Sequence, residues 1–96
     1  MCGAMDDEAN FSALADKLAV LYAQSFGGKP NGRYRIAAKL VRQLAGRRRL
    51  YEDDVRKLTR ELMERGYVLI DMDSFFVVMA ANTFVNYRRA NESCLL

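Results

Sequence analysis

Three observations predict a small α+β domain with a three-helix core, a short β-hairpin and a short C-terminal helix. Apolar residues recur at three-four spacing before Gly66, the period changes after it to runs rich in β-branched and aromatic residues, and glycines stand where the pattern breaks. At 96 residues there is room for one domain with one core. The apolar share of 51% is ordinary for a globular chain and too high for disorder.

Residues 1–9 are small and acidic and are expected to form a mobile tail, residues 10–90 the domain, and residues 91–96 a C-terminal tail. Phe11, Leu14, Leu18, Leu21, Tyr22 and Phe26 make one helical stripe, with Asn10 or Ser12 available as its N-cap. Gly27-Gly28 offers a left-handed C-cap and Pro30-Asn31-Gly32 a turn. Residues 33–36 alternate polar and apolar side chains, enough for a short strand. A second helix follows, with Ile36, Leu40, Val41 and Leu44 predicted inside, Lys39, Arg42 and Gln43 outside, and Gly46 as its stop.

Arg47-Arg48-Arg49 connects to a third helix that begins near Tyr51. Glu52, Asp53 and Asp54 fill its first turn, where the positive end of the helix dipole favours carboxylates. Val55, Leu58, Leu62 and Met63 are predicted to face inward, and Gly66 to end the helix. Residues 67–73 then read as a strand with Val68, Ile70 and Met72 on one face. Residues 75–79 form a second apolar run, and residues 71–74 can turn the chain between the two. Residues 74–90 also fit a single helix, since Phe76, Ala80 and Phe84 are spaced by four, as are Phe75, Met79, Thr83 and Tyr87. The hairpin is preferred because Phe-Phe-Val-Val starts a helix poorly, with a short helix over residues 82–89 after it.

Charge is placed unevenly. Residues 29–66 hold twelve Lys and Arg against five Asp and Glu, within a chain of net charge +3, and the segments on either side are net negative. Such a local excess favours an anionic partner. Enzyme chemistry is not expected, because the chain has no histidine, and Cys2 and Cys94 sit near opposite ends without metal or disulfide spacing. No cofactor, metal or small-molecule substrate is predicted, and Gly27-Gly28-Lys29 lacks the spacing of a phosphate-binding loop. Asp6, Asp7 and Glu8 stand where a signal peptide needs basic and then apolar residues, no run is long enough to span a membrane, and Cys94-Leu95-Leu96 is one residue short of a prenylation box. A reducing, cytoplasmic setting is expected.

Arg35-Ile36-Ala37-Ala38-Lys39-Leu40-Val41-Arg42-Gln43-Leu44-Ala45-Gly46, then residues 55–66, then the hairpin over residues 67–79 follow one another as helix, turn, helix, strand, strand, behind a first helix and a short strand. This order resembles the winged helix-turn-helix domain. The resemblance implies binding of double-stranded DNA, with the third helix in the major groove, the second crossing the backbone and the hairpin as wing. Lys39 and Arg42 would then meet phosphates, with Arg33 and Arg35 ahead of them. Arg47, Arg48 and Arg49 would lie beside the groove, Lys57 and Arg60 on the exposed face of the third helix, and Tyr51 and Arg56 near base edges.

The acids of this chain set conditions on that reading. Glu52, Asp53 and Asp54, and Asp71 and Asp73 near the wing, repel phosphate unless they are turned away or neutralised. Glu52 with Arg56, Asp53 with Lys57 and Glu61 with Arg65 stand at i,i+4, which stabilises a helix by about 0.2–0.5 kcal/mol per pair and occupies the cations involved. Phe75, Phe76, Phe84 and Tyr87 lie among aliphatic residues and are expected to pack in the core, not to stack on bases. The expected function is a small transcriptional regulator that clamps DNA phosphates from the second helix and the arginine turn. The other reading is a protein-interaction module on the same fold, binding an acidic partner or pairing with itself as a homodimer.

Overall fold

Helix α1, Gly3–Ala23, opens the fold and lays Phe11, Leu14, Ala15 and Leu18 into the core. The computed structural model describes residues 3–24, 28 and 31–95, with side chains from residue 10 onward. The expectations for Cys2, Phe26, Gly27 and Pro30 lie outside the described residues. The helix starts well before the expected cap, because Ala4 to Ala9 hold no Gly or Pro and their acids suit a first turn. Asn10 and Ser12 are therefore inside α1, and both have other work. Asn10 Nδ2 donates to the Ala45 carbonyl at 2.9 Å, and Ser12 Oγ accepts from Arg65 Nη2 at 2.9 Å.

Strand β1, Tyr34–Ala37, leads directly into helix α2, Ala38–Ala45. Here the predicted burial needs correction. Val41 is fully buried, but its companions are Ala38 and Ala45, while Leu40 and Leu44 face solvent at 48% and 40% exposure. The face of α2 that meets the core runs through Ala38, Val41 and Ala45, at spacings of three and four, which turns Leu40 and Leu44 onto its flanks. Gly46, at φ 71°, ends the helix, with the Arg47 N–H reaching back to the Arg42 carbonyl and the Gly46 N–H to that of Gln43.

Helix α3, Glu52–Glu64, buries Leu58 and Leu62 completely and Val55 in part. Met63, expected inside, is 52% exposed, because the core-facing stripe runs through Asp54, Leu58 and Leu62. Arg65 ties the end of α3 to α1: Nε donates to Asp16 Oδ1 at 2.7 Å and Nη1 to Glu61 Oε1 at 3.0 Å. These two carboxylates, Asp16 first, hold the Arg65 pKa above its ordinary value.

Strands β2, Tyr67–Asp71, and β3, Phe75–Ala80, form the hairpin, so the single-helix alternative for residues 74–90 is set aside. The sheet has the order β1-β3-β2 and is antiparallel throughout, with Tyr34 opposite Val78 and Val78 opposite Leu69. Leu69, Phe76 and Val78 face the helices, and Val68, Ile70 and Val77 take the other face. In the turn the Met72 N–H donates to the Phe75 carbonyl, Asp73 adopts φ 73°, and its N–H donates to Asp71 Oδ1 at 2.8 Å.

Beyond β3 the expected helix is a 3-10 helix, Ala81–Asn86, followed by extended chain and a one-turn helix α4, Glu92–Leu95. Asn82, Thr83, Val85 and Asn86 are weak α-formers, which suits a short 3-10 segment. Phe84 and Tyr87 meet edge to face with centroids 5.2 Å apart, but Tyr87 is 58% exposed and lies outside the core. No helix among the described residues is long and apolar enough to cross a membrane.

Candidate nucleic-acid interface

The turn over residues 46–51 is anchored at both ends by the caps of the helices it joins. Its first end is the left-handed stop at Gly46, reinforced from α1 by Asn10. Its second end is Asp54, the one buried charged residue among the described residues. Asp54 Oδ2 accepts the Tyr51 N–H at 2.9 Å, as an acid at the third helical position does in a capping box. Asp54 Oδ1 accepts Arg47 Nη1 at 3.3 Å, and the Arg47 guanidinium also lies 5.0 Å from the centroid of the Phe11 ring.

Arg47 is thus half-buried between α1 and α3, and its charge is committed to the fold. Its neighbours Arg48 and Arg49 are exposed and make no ion pair among the described residues. The three arginines and the exposed ring of Tyr51 line a shallow concavity of about 420 Å³. Guanidinium donors along its wall suit an oxyanion with several acceptors, such as a phosphate.

The first turn of α3 resolves its acids differently from the sequence pattern. Asp54 turns inward. Glu52 and Asp53 stay exposed, and both reach Arg56, at 3.6 Å and 3.0 Å. Arg56 is therefore engaged on the surface of α3, and the expected pair of Asp53 with Lys57 is replaced by a pair at i,i+3. Lys57 and Arg60 are left exposed, without an ion pair among the described residues, and one helical turn apart on a shared face.

On α2, Lys39 is exposed and Arg42 half-buried, again with no acid partner among the described residues. The hairpin turn stands close by, since the Ala38 N–H donates to the Ser74 carbonyl at 3.0 Å. The turn that carries Asp71 and Asp73 therefore stands at the N-terminus of α2, and Asp71 is engaged by the turn itself. Arg33 stands just before β1 and Arg35 on it, and the Arg35 guanidinium lies 5.7 Å from the Phe75 centroid, on the sheet face turned away from the helices. These two do not join the arginine turn.

The structure thus defines a small α+β domain in which a capped helix-helix turn carries exposed, unneutralised arginines. No family model, curated protein or solved structure matches the chain. The inward role of Arg47 left one trace in the sequence, an aspartate seven residues on at the third position of a helix. The trace is faint because Tyr51, not Ser or Thr, occupies the N-cap.

Proposed function

We propose that the chain is a winged-helix DNA-binding domain, a small transcriptional regulator that grips duplex phosphates through Arg48 and Arg49. The observation that carries this reading is the anchored turn, which holds two exposed guanidinium groups, without an ion pair among the described residues, beside the N-terminus of α3. The element order and the β1-β3-β2 sheet support it. Lys39 and Arg42 on α2, and Lys57 and Arg60 on α3, extend the cationic surface. Arg47 positions the turn, and Arg56 shields the acids of the first turn of α3. Tyr51, whose exposed ring lines the same concavity, would meet an incoming base.

Fluorescence anisotropy with a mixed pool of labelled duplexes tests the reading. Affinity should fall steeply as salt rises, and Arg48→Ala with Arg49→Ala should lower the log-log salt slope by about two, one unit per lost phosphate contact. Absence of binding at low salt would overturn it.

A further inference from the structure

We propose that the open edge of β2 pairs antiparallel with β2 of a second copy, joining two three-stranded sheets into one. β2 is an edge in the order β1-β3-β2. The register fixes which of its backbone groups are unpaired. The Ala81 N–H donates to the Gly66 carbonyl and the Met72 N–H to the Phe75 carbonyl, and both pairs lie in the register that sets Val68 against Met79 and Ile70 against Val77. Hydrogen-bonded pairs alternate along an antiparallel ladder, so Val68 and Ile70 bond to β3 while Tyr67, Leu69 and Asp71 turn their N–H and C=O groups to the open edge. No backbone bond among the described residues reaches these outward groups.

Such a row of donors and acceptors is completed by an extended strand. Folded proteins guard their edges with Pro, Lys, a bulge or a very short strand. β1 is guarded in this way, since it has four residues, carries Arg35 and turns at once into α2. β2 has none of these devices: Tyr67-Val68-Leu69-Ile70-Asp71 pairs with β3 without a bulge and holds neither Pro nor Lys.

A second copy is the occupant because β2 is complementary to itself. A two-fold axis at Leu69 sets Leu69 against Leu69 and Tyr67 against Asp71 of the second copy, and every outward group of the strand then has a partner. Val68 faces Ile70 of the second copy in a non-hydrogen-bonded pair, where side chains approach most closely, on the sheet face that these half-buried residues share with Val77. The acids fix the register. With the axis at Leu69 the two Asp71 residues stand about 13 Å apart along the strands, beyond the screening length of about 8 Å at physiological salt. An axis at Ile70 halves that separation and gives up one hydrogen-bonded pair. Pairing of β2 with β1 of another copy offers only Arg35 and Ala37 as outward residues, because the Ala38 N–H bond to the Ser74 carbonyl puts Ile36 in the set bonded to β3, and such a head-to-tail contact does not close about a two-fold axis.

The inference does not depend on duplex binding, and its tests contain no DNA. Sedimentation equilibrium of the full chain over a wide concentration range should show twice the chain mass at the upper end. Amide exchange should slow at Leu69 as concentration rises, and less at Val68, which is already bonded to β3. Val68→Lys with Ile70→Lys sets like charges opposite one another on the face turned away from the core, and should weaken association about tenfold or more. With Cys2→Ser and Cys94→Ser to remove the native thiols, oxidation of a mixture of Val68→Cys and Ile70→Cys chains should link the two kinds to each other more readily than either kind links to itself. A monomer at every concentration would refute the pairing. So would a dimer indifferent to the two lysines, one whose Leu69 amide exchanges as fast as in the monomer, or one that cross-links best through like cysteines.

Discussion

Arg47, Arg48 and Arg49 are chemically identical, and their surroundings give them different roles. Arg47 lies between the Phe11 ring and the buried carboxylate of Asp54, which also receives the Tyr51 N–H. Losing Asp54 removes an acceptor from both donors at a buried site, so Asp54→Ala is expected to cost about 2–3 kcal/mol and Arg47→Ala about 1–2 kcal/mol, against less than about 0.5 kcal/mol for Arg48→Ala. Urea denaturation of the three variants reads the difference directly. Equal midpoints for Arg47→Ala and Arg48→Ala would show that the ion pair adds nothing. Tyr34 makes a second residue-scale case. Its hydroxyl donates to the Leu18 carbonyl, and burial first, then the nearby Tyr67, raises its pKa well above the ordinary tyrosine value. Below about pH 10 the phenol is neutral in both the folded and the unfolded chain, so its contribution is complete. Above that only the unfolded chain ionises readily, and stability is lost as pH rises. Tyr34→Phe should lower stability by about 1 kcal/mol at neutral pH and flatten the alkaline decline, as thermal melts between pH 8 and about pH 11 would show.

At the scale of elements, the hairpin turn stores a small strain that can be removed. Asp73 is the one non-glycine residue with positive φ among the described residues, and it stands beside the N-terminus of α2. Asp73→Gly relieves the left-handed backbone, and the loss of an exposed carboxylate beside the positive end of α2 offsets part of that gain. The substitution is expected to raise stability by about 0.5–1 kcal/mol, measured by denaturant midpoint, and a fall would mean that the aspartate supports the turn more than its backbone opposes it. The turn also shows what kind of information the sequence carried. Elements with a strong local signal, such as the stop at Gly46, the acidic start of α3 and the change of period at Gly66, were legible because each depends on its own few residues. The bulky stripe of α2 misled because which face of the helix is covered is decided by where α1 and the sheet lie, and they cover Ala38, Val41 and Ala45. The basic turn was legible as a feature, but its division into one structural and two exposed arginines was not. Asp54 and Phe11 reach Arg47 only after α1 and α3 have packed.

Across the whole molecule, positive charge gathers on α2, the turn and α3, and most of it has no acid partner among the described residues. Such a surface is a standing source of self-repulsion, and only an anionic partner or salt relieves it. The relief is measurable without a partner. Raising ionic strength from about 0.01 M to about 0.15 M shortens the screening length from about 30 Å to about 8 Å, which damps repulsion between groups one or two turns apart. Paired charges respond in the opposite sense, since salt weakens the links of Arg65 with Asp16 and of Arg56 with Glu52 and Asp53. The unpaired set includes Lys39, Arg48, Arg49, Lys57 and Arg60, so the net effect is stabilisation. Calorimetry should show the Tm rising with salt by a few degrees, about 4–8 °C for each kcal/mol gained at this chain length. Replacing Arg48 and Arg49 by Ala should raise the Tm at low salt and shrink the further gain. If the Tm instead falls with salt, the ion pairs dominate, and the cationic surface is balanced within the fold and holds no excess charge for a duplex.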